Sequence, residues 1–215
     1  YKSRYLRISV CNGYTNQLLA LMDGMIMAHV LGVKMILPEL YSNYDLPKPD
    51  MLFSELFDQE AFIRDMSHFV ELVPSFGNLT FPSSGWIDIP LGDIERKMFT
   101  PEQLFDRVQE KISSAQIDLS TDTSILYTTK GCSIFSMDVR KQPDLWMKRW
   151  EIYETIRLRP ELMTYIDKVV QQLGTSFVGL HLRLENDWTE HCKTWEGNNC
   201  DITSTHTLDG HSYLY

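Results

Sequence analysis

"YLRISVCNGYTNQLLALMDGMIMAHVLGVKMILP", residues Tyr5 to Pro38, decides the fold. Its first seven residues are rich in strand formers, and "NGYTN" supplies a turn. From Asn16 to Leu31 the apolar Leu18, Leu19, Met22, Met25, Ile26 and Val30 recur at helical spacing, and Gly32 stands where a left-handed cap would close the helix. The methionines of this helix are expected to serve packing. "VKMILP" is a short buried strand ended by Pro38. Strand, turn, helix, glycine and strand predict a right-handed parallel crossover.

The same grammar extends along the chain. Residues 41–50, "YSNYDLPKPD", are a loop by composition. "MLFSELFDQEAFIRDM" predicts one or two short helices with Asp58 as a cap, and 74–93 is an excursion with a short strand at "WIDI". In "TPEQLFDRVQEKI", Thr100 caps, Pro101 takes the first helical position and Gln103 completes a capping box. "SILYTT" is a strand, and a helix follows Pro143, with Trp146, Trp150 and Tyr153 at helical spacing as core or interface. Pro160 opens "ELMTYIDKVVQQLG", whose Leu162, Ile166, Val169, Val170 and Leu173 share a face before Gly174. "SFVGLHLR" is the final strand. The alternation predicts an α/β fold with a Rossmann-like open parallel sheet.

Bulk properties narrow the function. The chain has 215 residues, 43% of them apolar, and a net charge of −9. An acidic chain argues against a nucleic-acid partner, which needs clustered Lys and Arg, although Lys148, Arg149, Arg157 and Arg159 form a local basic group. No apolar run approaches bilayer length. The chain begins at Tyr1 and ends at "SYLY", so a fragment is expected, and a membrane anchor upstream is compatible with it. Cys192 and Cys200 flank "KTWEGNN" as a disulfide candidate, and Asn78-Leu79-Thr80 is a glycosylation sequon. Both lean towards a secretory lumen. No D-x-D pair, C-x-x-C or H-E-x-x-H appears, so no metal site is expected.

Ligands of open parallel sheets bind outside the carboxyl ends of the strands. Two segments occupy that position. "CNGYTNQ" offers Gly13 for backbone freedom and Asn16-Gln17 at a helix start, where free N–H groups favour an anion. The alternative is that Asn16 or Thr15 simply caps the helix. "GLHLRLENDW", Gly179 to Trp188, places His181, Arg183, Glu185 and Asp187 on one strand face. Arg183 is suited to a phosphate, His181 to hydrogen bonding, and Glu185 and Asp187 to orienting Arg183 or accepting a proton. A surfacing strand with a structural ion pair explains these residues equally well.

Taken together, "CNGYTNQLLALMDGMIMAHVLGVKMILP" and "HLRLENDW" resemble the two motifs of the GDP-fucose protein O-fucosyltransferase family: a glycine-containing turn into Asn-Gln, then His-x-Arg with Asp four residues on. "LFSELFDQEAFI" resembles its plant branch. The resemblance implies that residues 1–188 are the N-terminal lobe of a two-lobed GT-B glycosyltransferase and that 189–215 begin a truncated second lobe. It also implies metal-independent, inverting transfer of fucose from GDP-fucose to a protein or glycan hydroxyl, in the Golgi or endoplasmic reticulum, in a full-length protein of type II membrane topology. No cofactor is implied beyond the donor itself. By this resemblance Arg183 lies against the donor diphosphate, His181, Asp187, Asn16 and Gly13 surround the nucleotide sugar, and Glu185 and Asp187 are the available carboxylates for catalysis. UDP-rhamnose is an alternative donor, and a non-catalytic carbohydrate- or protein-binding relative is an alternative function.

Overall fold

The computed structural model describes residues 4–42, 48–74, 86–90, 99–114, 125–130, 137–174, 205–208 and 211–214. The chain forms two compact units, Tyr1–Lys168 and Val169–Tyr215. In the first, strands β1 (Arg4–Arg7), β2 (Lys34–Ile36), β3 (Leu72–Val73), β4 (Trp86–Pro90) and β5 (Ile125–Lys130) build one sheet in the order β3-β2-β1-β5-β4. Every pairing is parallel. The helices are α1 (Tyr14–Leu31), α2 (Phe53–Leu56), α3 (Gln59–Met66), α4 (Pro101–Ser114), α5 (Pro143–Thr155) and α6 (Pro160–Leu173). In the second unit, β6 (Thr205–Leu208) and β7 (His211–Leu214) pair as an antiparallel hairpin.

The chain steps from β1 to β2 to β3 in one direction, starts again at the far edge with β4, and returns to β5 beside β1. The three neighbour-to-neighbour crossovers all step the same way. Right-handed crossovers therefore put α1, α3 and α4 on one face of the sheet, and α1 indeed packs against both α4 and α5. The register sets Leu6 between Met35 and Tyr127, and all three are buried on that face.

Local signals explain the element ends. Gly32 is left-handed, with φ 62°, and its N–H reaches the carbonyls of Ala28 and His29. The Asp58 side chain accepts the Ala61 N–H at 3.0 Å. Thr100 N–H donates to Gln103 Oε1 at 3.0 Å while Gln103 N–H donates to Thr100 Oγ1 at 3.3 Å, the reciprocal capping box.

Helix α1 is buried nearly all round from Leu18 to Ala28, as befits a helix apolar on every side. Gly24 lets it sit close to the sheet. A Cβ there would stand 2.7 Å from Ile8 Cγ2, 2.8 Å from Ile8 Cδ1 and 3.0 Å from Met35 Cε. Asp23, the one charged side chain between Leu18 and Ala28, faces elsewhere and is 2% exposed. Arg149 of α5 donates to its Oδ1, and Met137 N–H donates to Oδ2 at 3.3 Å. Arg149 also donates to the Met137 carbonyl at 3.1 Å. This buried pair ties α1 to α5 and to the segment before it.

Three expectations change. The basic group at 148–159 is not a free cationic surface: Lys148 pairs with Glu151, Arg149 with Asp23, Arg157 with Asp65 and Arg159 with Glu161. Of the two readings of Trp146, Trp150 and Tyr153, core or interface, the core one falls: all three are exposed, because α5 turns Ile152 and Arg149 inward and leaves the opposite side to solvent. No residue of α6 is buried, so the apolar face of that helix exists in sequence but is left exposed. The final strand expected at "SFVGLHLR" lies outside the described residues.

Gly24→Ala is expected to destabilise the protein by about 1 to 3 kcal/mol, since the β-branched Ile8 cannot swing its Cγ2 away freely. Asp23→Ala is expected to cost about 3 to 5 kcal/mol by stranding the Arg149 charge, and the double change Asp23→Leu with Arg149→Met should recover much of that. Urea unfolding of the variants measures both.

Candidate functional site

Ligands of open parallel sheets bind outside the carboxyl ends of the strands, and β1 and β5 are the two central neighbours of this sheet, where its first three strands meet its last two. The chain leaving β1 continues alongside β5. Ser9 N–H donates to Thr129 Oγ1 at 2.8 Å, and Ser9 Oγ donates to the Thr129 carbonyl at 3.0 Å. These two bonds carry the β1–β5 contact past the regular ladder and hold the following turn at the rim.

The turn itself differs from its reading in sequence. Its left-handed residue is Asn12, with φ 60°, a residue type that tolerates that region. Gly13 has φ −66° and is the helix cap, so its role is not backbone freedom. A Cβ at Gly13 would meet nothing within 4 Å, which leaves open space in front of the turn. No side chain caps α1, so neither Thr15 nor Asn16 does so. The helix also begins two residues earlier than expected. Asn16 and Gln17 N–H groups both bond the Gly13 carbonyl, at 3.0 and 3.2 Å. The open N–H groups at this terminus, among the described residues, are therefore those of Tyr14 and Thr15. Such groups, at the positive end of an 18-residue helix, favour an anion. Asn16 is half-buried beside them.

Gln17 is the residue that positions the turn. It is 4% exposed, and its amide is fully used. Nε2 donates to the carbonyls of Asn12 and Tyr41, each at 3.0 Å, while Oε1 accepts the Tyr41 N–H at 2.8 Å. One side chain thus locks the β1–α1 turn to the segment leaving β2. A glutamine in the first turn of an otherwise apolar helix was the signal for this, since a buried amide needs partners for each of its atoms.

Cys11, one residue before Asn12, is disulfide-bonded, and its partner lies outside the described residues. The sequence reading placed its disulfide candidate at Cys192 and Cys200 and missed Cys11. Cys192, Cys200 and the sequon residue Asn78 lie outside the described residues. So do His181, Arg183, Glu185 and Asp187, the second half of the candidate site. Gly13 and Asn16 are thus the sequence-named site residues whose geometry is in view.

The described cavities show how partial this wall is. A hollow of about 160 Å³ opens at the carboxyl ends of β1 and β2, with Arg7, Ser9, Glu39 and Tyr41 among its lining residues. That is below the roughly 300 to 1,000 Å³ of ordinary small-molecule sites. Larger hollows, of about 530 and 580 Å³, flank His29 near the other end of α1. They lie at the amino ends of the strands, away from the rim that this topology uses.

Comparison with known proteins adds to the geometry. The family model described as GDP-fucose protein O-fucosyltransferase matches residues 5–203. O-fucosyltransferase 24 of Arabidopsis thaliana is 23% identical over 189 residues, covering 86% of this chain and 30% of the relative. O-fucosyltransferase 1 of Arabidopsis thaliana is 22% identical over 187 residues, covering 85% and 34%. The chain thus spans about a third of the length of these curated relatives. Among solved structures, POFUT1 in complex with GDP-fucose superposes with a TM-score of 0.60 at 13% identity, covering 90% of this chain and 62% of that one. A second crystal form of the same complex gives 0.57 at 12% identity. At that identity the likeness concerns the fold, which is the Rossmann-like α/β sheet of a GT-B lobe.

Gln17→Glu replaces the amide donor with an acceptor and leaves the Asn12 and Tyr41 carbonyls without their donor. A loss of about 1 to 3 kcal/mol is expected, accompanied by amide shifts at residues 12–15 and 41 in nitrogen–proton correlation spectra. Unchanged stability and spectra would remove Gln17 from its positioning role.

Proposed function

Because the chain belongs to the GDP-fucose protein O-fucosyltransferase family, we propose that it supplies the donor-side rim of a glycosyltransferase that moves fucose from GDP-fucose to a hydroxyl of a protein or glycan acceptor. One observation carries this reading: the open Tyr14 and Thr15 N–H groups, fixed by the Gln17 clamp at the carboxyl edge of a parallel sheet, after its central strand β1. An anionic diphosphate suits that position. In this reading residues 1–188 form the lobe, and 189–215 begin the next.

The chemistry follows from charge. The acceptor oxygen attacks C1 of the sugar from the face opposite the leaving group, the C1–O bond to the diphosphate breaks, and the configuration inverts. Negative charge then grows on the β-phosphate. Arg183 and the helix-start N–H groups are the donors proposed to meet it without a divalent ion, and donors fixed before reaction lose nothing to reorganisation. The acceptor proton passes to a carboxylate, for which Glu185 and Asp187 are the candidates. His181, Asp187, Asn16 and Gly13 are assigned to the nucleotide sugar by their match to the family motifs. The Cys11 disulfide and the Asn78 sequon favour a secretory-pathway lumen, where thiols oxidise.

The test uses the full-length protein. Calorimetry with GDP, GDP-fucose, UDP and UDP-rhamnose is expected to show binding of the guanosine ligands, and Arg183→Ala to lower transfer by about 10² to 10³ at unchanged thermal stability. Binding confined to the uridine ligands would move the donor to UDP-rhamnose. A folded protein that binds neither class would be a non-catalytic relative, and wild-type transfer by Arg183→Ala would overturn that residue's role.

A further inference from the structure

Cys11 stands half-buried beyond the carboxyl end of the central strand β1, disulfide-bonded, one residue before the left-handed Asn12. The four cysteines, Cys11, Cys132, Cys192 and Cys200, allow three pairings. The sheet register chooses among them. β1 and β5 run parallel, with Arg4 opposite Ile125, Tyr5 opposite Leu126, Leu6 opposite Tyr127 and Arg7 opposite Thr128. Carried four residues further without a slip, that register sets Cys11 opposite Cys132.

Two observations carry the register past the regular ladder. Burial keeps alternating after Arg7: Ile8 and Val10 are buried, Ser9 is exposed and Cys11 is half-buried, the period of an extended strand. Ser9, opposite Lys130 in the continued register, bonds Thr129 through both its N–H, at 2.8 Å, and its Oγ, at 3.0 Å. In a parallel ladder the N–H of a residue meets the position before its partner, so these bonds leave no room for a slip. Neighbouring strands stand about 4.8 Å apart, inside the roughly 4.4 to 6.8 Å between Cα atoms that a disulfide spans. Opposed residues also present their side chains on the same face of the sheet, as the bond requires. Cys132 falls outside the described residues but in the same compact unit as Cys11, Tyr1–Lys168. Cys192 and Cys200 both belong to the other unit, Val169–Tyr215.

We propose that Cys11 and Cys132 form a disulfide that staples the carboxyl ends of β1 and β5, and that Cys192 pairs with Cys200. Each bond forms by thiol–disulfide exchange: two cysteine thiols give up two protons and two electrons to a disulfide oxidant, which leaves as a dithiol. The Cys11 cross-link closes a loop of about 120 residues, the long-loop case in which constraining the unfolded chain stabilises most. It holds the β1–α1 turn from the β5 side, as Gln17 holds it from the β2 side. The consequence for donor binding rests on the donor-site reading above; the pairing does not.

Trypsin separates all four cysteines, into peptides 8–34, 131–140, 184–193 and the one starting at Thr194. Full-length protein is alkylated and digested without reduction, and mass spectrometry is expected to find 8–34 joined to 131–140 and 184–193 joined to its neighbour. Alkylated Cys11, or Cys11 joined to either later peptide, overturns the pairing. Cys11→Ala with Cys132→Ala is expected to lower the thermal midpoint by on the order of 10 °C. The same variant should speed amide exchange at Asn16 and Gln17, whose N–H groups bond the Gly13 carbonyl, and leave α3 unchanged. Where the variant is not secreted, phosphine reduction of the purified protein gives the same exchange comparison. Unchanged exchange at both residues removes the staple's hold on the turn. Weaker GDP binding by the variant supports the staple and the donor reading together. A wild type that carries the cross-link yet binds no GDP overturns the donor reading and leaves the staple standing.

Discussion

Helix α1 is wedged between the sheet and α5 through two adjacent residues, Gly24 against Ile8 and Met35, and Asp23 against Arg149. The glycine removes the side chain that would hold the helix off the sheet. The carboxylate, buried and charged, is tolerable only with its arginine and the Met137 N–H in place. Together they fix the depth and rotation of α1. That decides where its first turn points, and the rest of the rim is assembled around that turn.

From this seating the site follows in steps. Ser9 and Thr129 extend the β1–β5 contact to the edge of the sheet. Asn12 takes the left-handed turn, Gly13 caps, and Gln17 reaches back to Asn12 and across to Tyr41. Each bond is modest alone. In combination they hold two open N–H groups in a defined direction before any ligand arrives, the preorganisation that stabilising a developing charge requires. Arg149 also seats α5, so the same ion pair that fixes the rotation of α1 fixes the helix that exposes Trp150 and Tyr153.

Residues around the first crossover were legible because each local signal agreed with its neighbours. Helical spacing from Leu18 to Val30, the Gly32 stop and the Pro38 stop all pointed to one βαβ unit. Asp58, Thr100 with Gln103, and Pro160 marked helix starts for the same reason: caps act within a few residues. What was misread depended on distant partners. Trp146, Trp150 and Tyr153 left core and interface both open in sequence, because apolar spacing identifies a face without saying what covers it, and their exposure removes the first. Lys148, Arg149, Arg157 and Arg159 looked like a basic surface because their acidic partners include Asp23 and Asp65, far away in sequence.

The sequence by itself determined the α/β class, the positions of most elements and the family, whose model matches residues 5–203, since these depend on periodicity, capping and residue type along the chain. Tertiary structure alone decided that Asn12 rather than Gly13 takes the left-handed turn, that Tyr14 and Thr15 hold the open N–H groups, and that Gln17 and Asp23 are structural. These facts arise from hydrogen bonds and close contacts between residues up to 126 positions apart. No local pattern encodes such pairs, because they come into being only when the chain is packed.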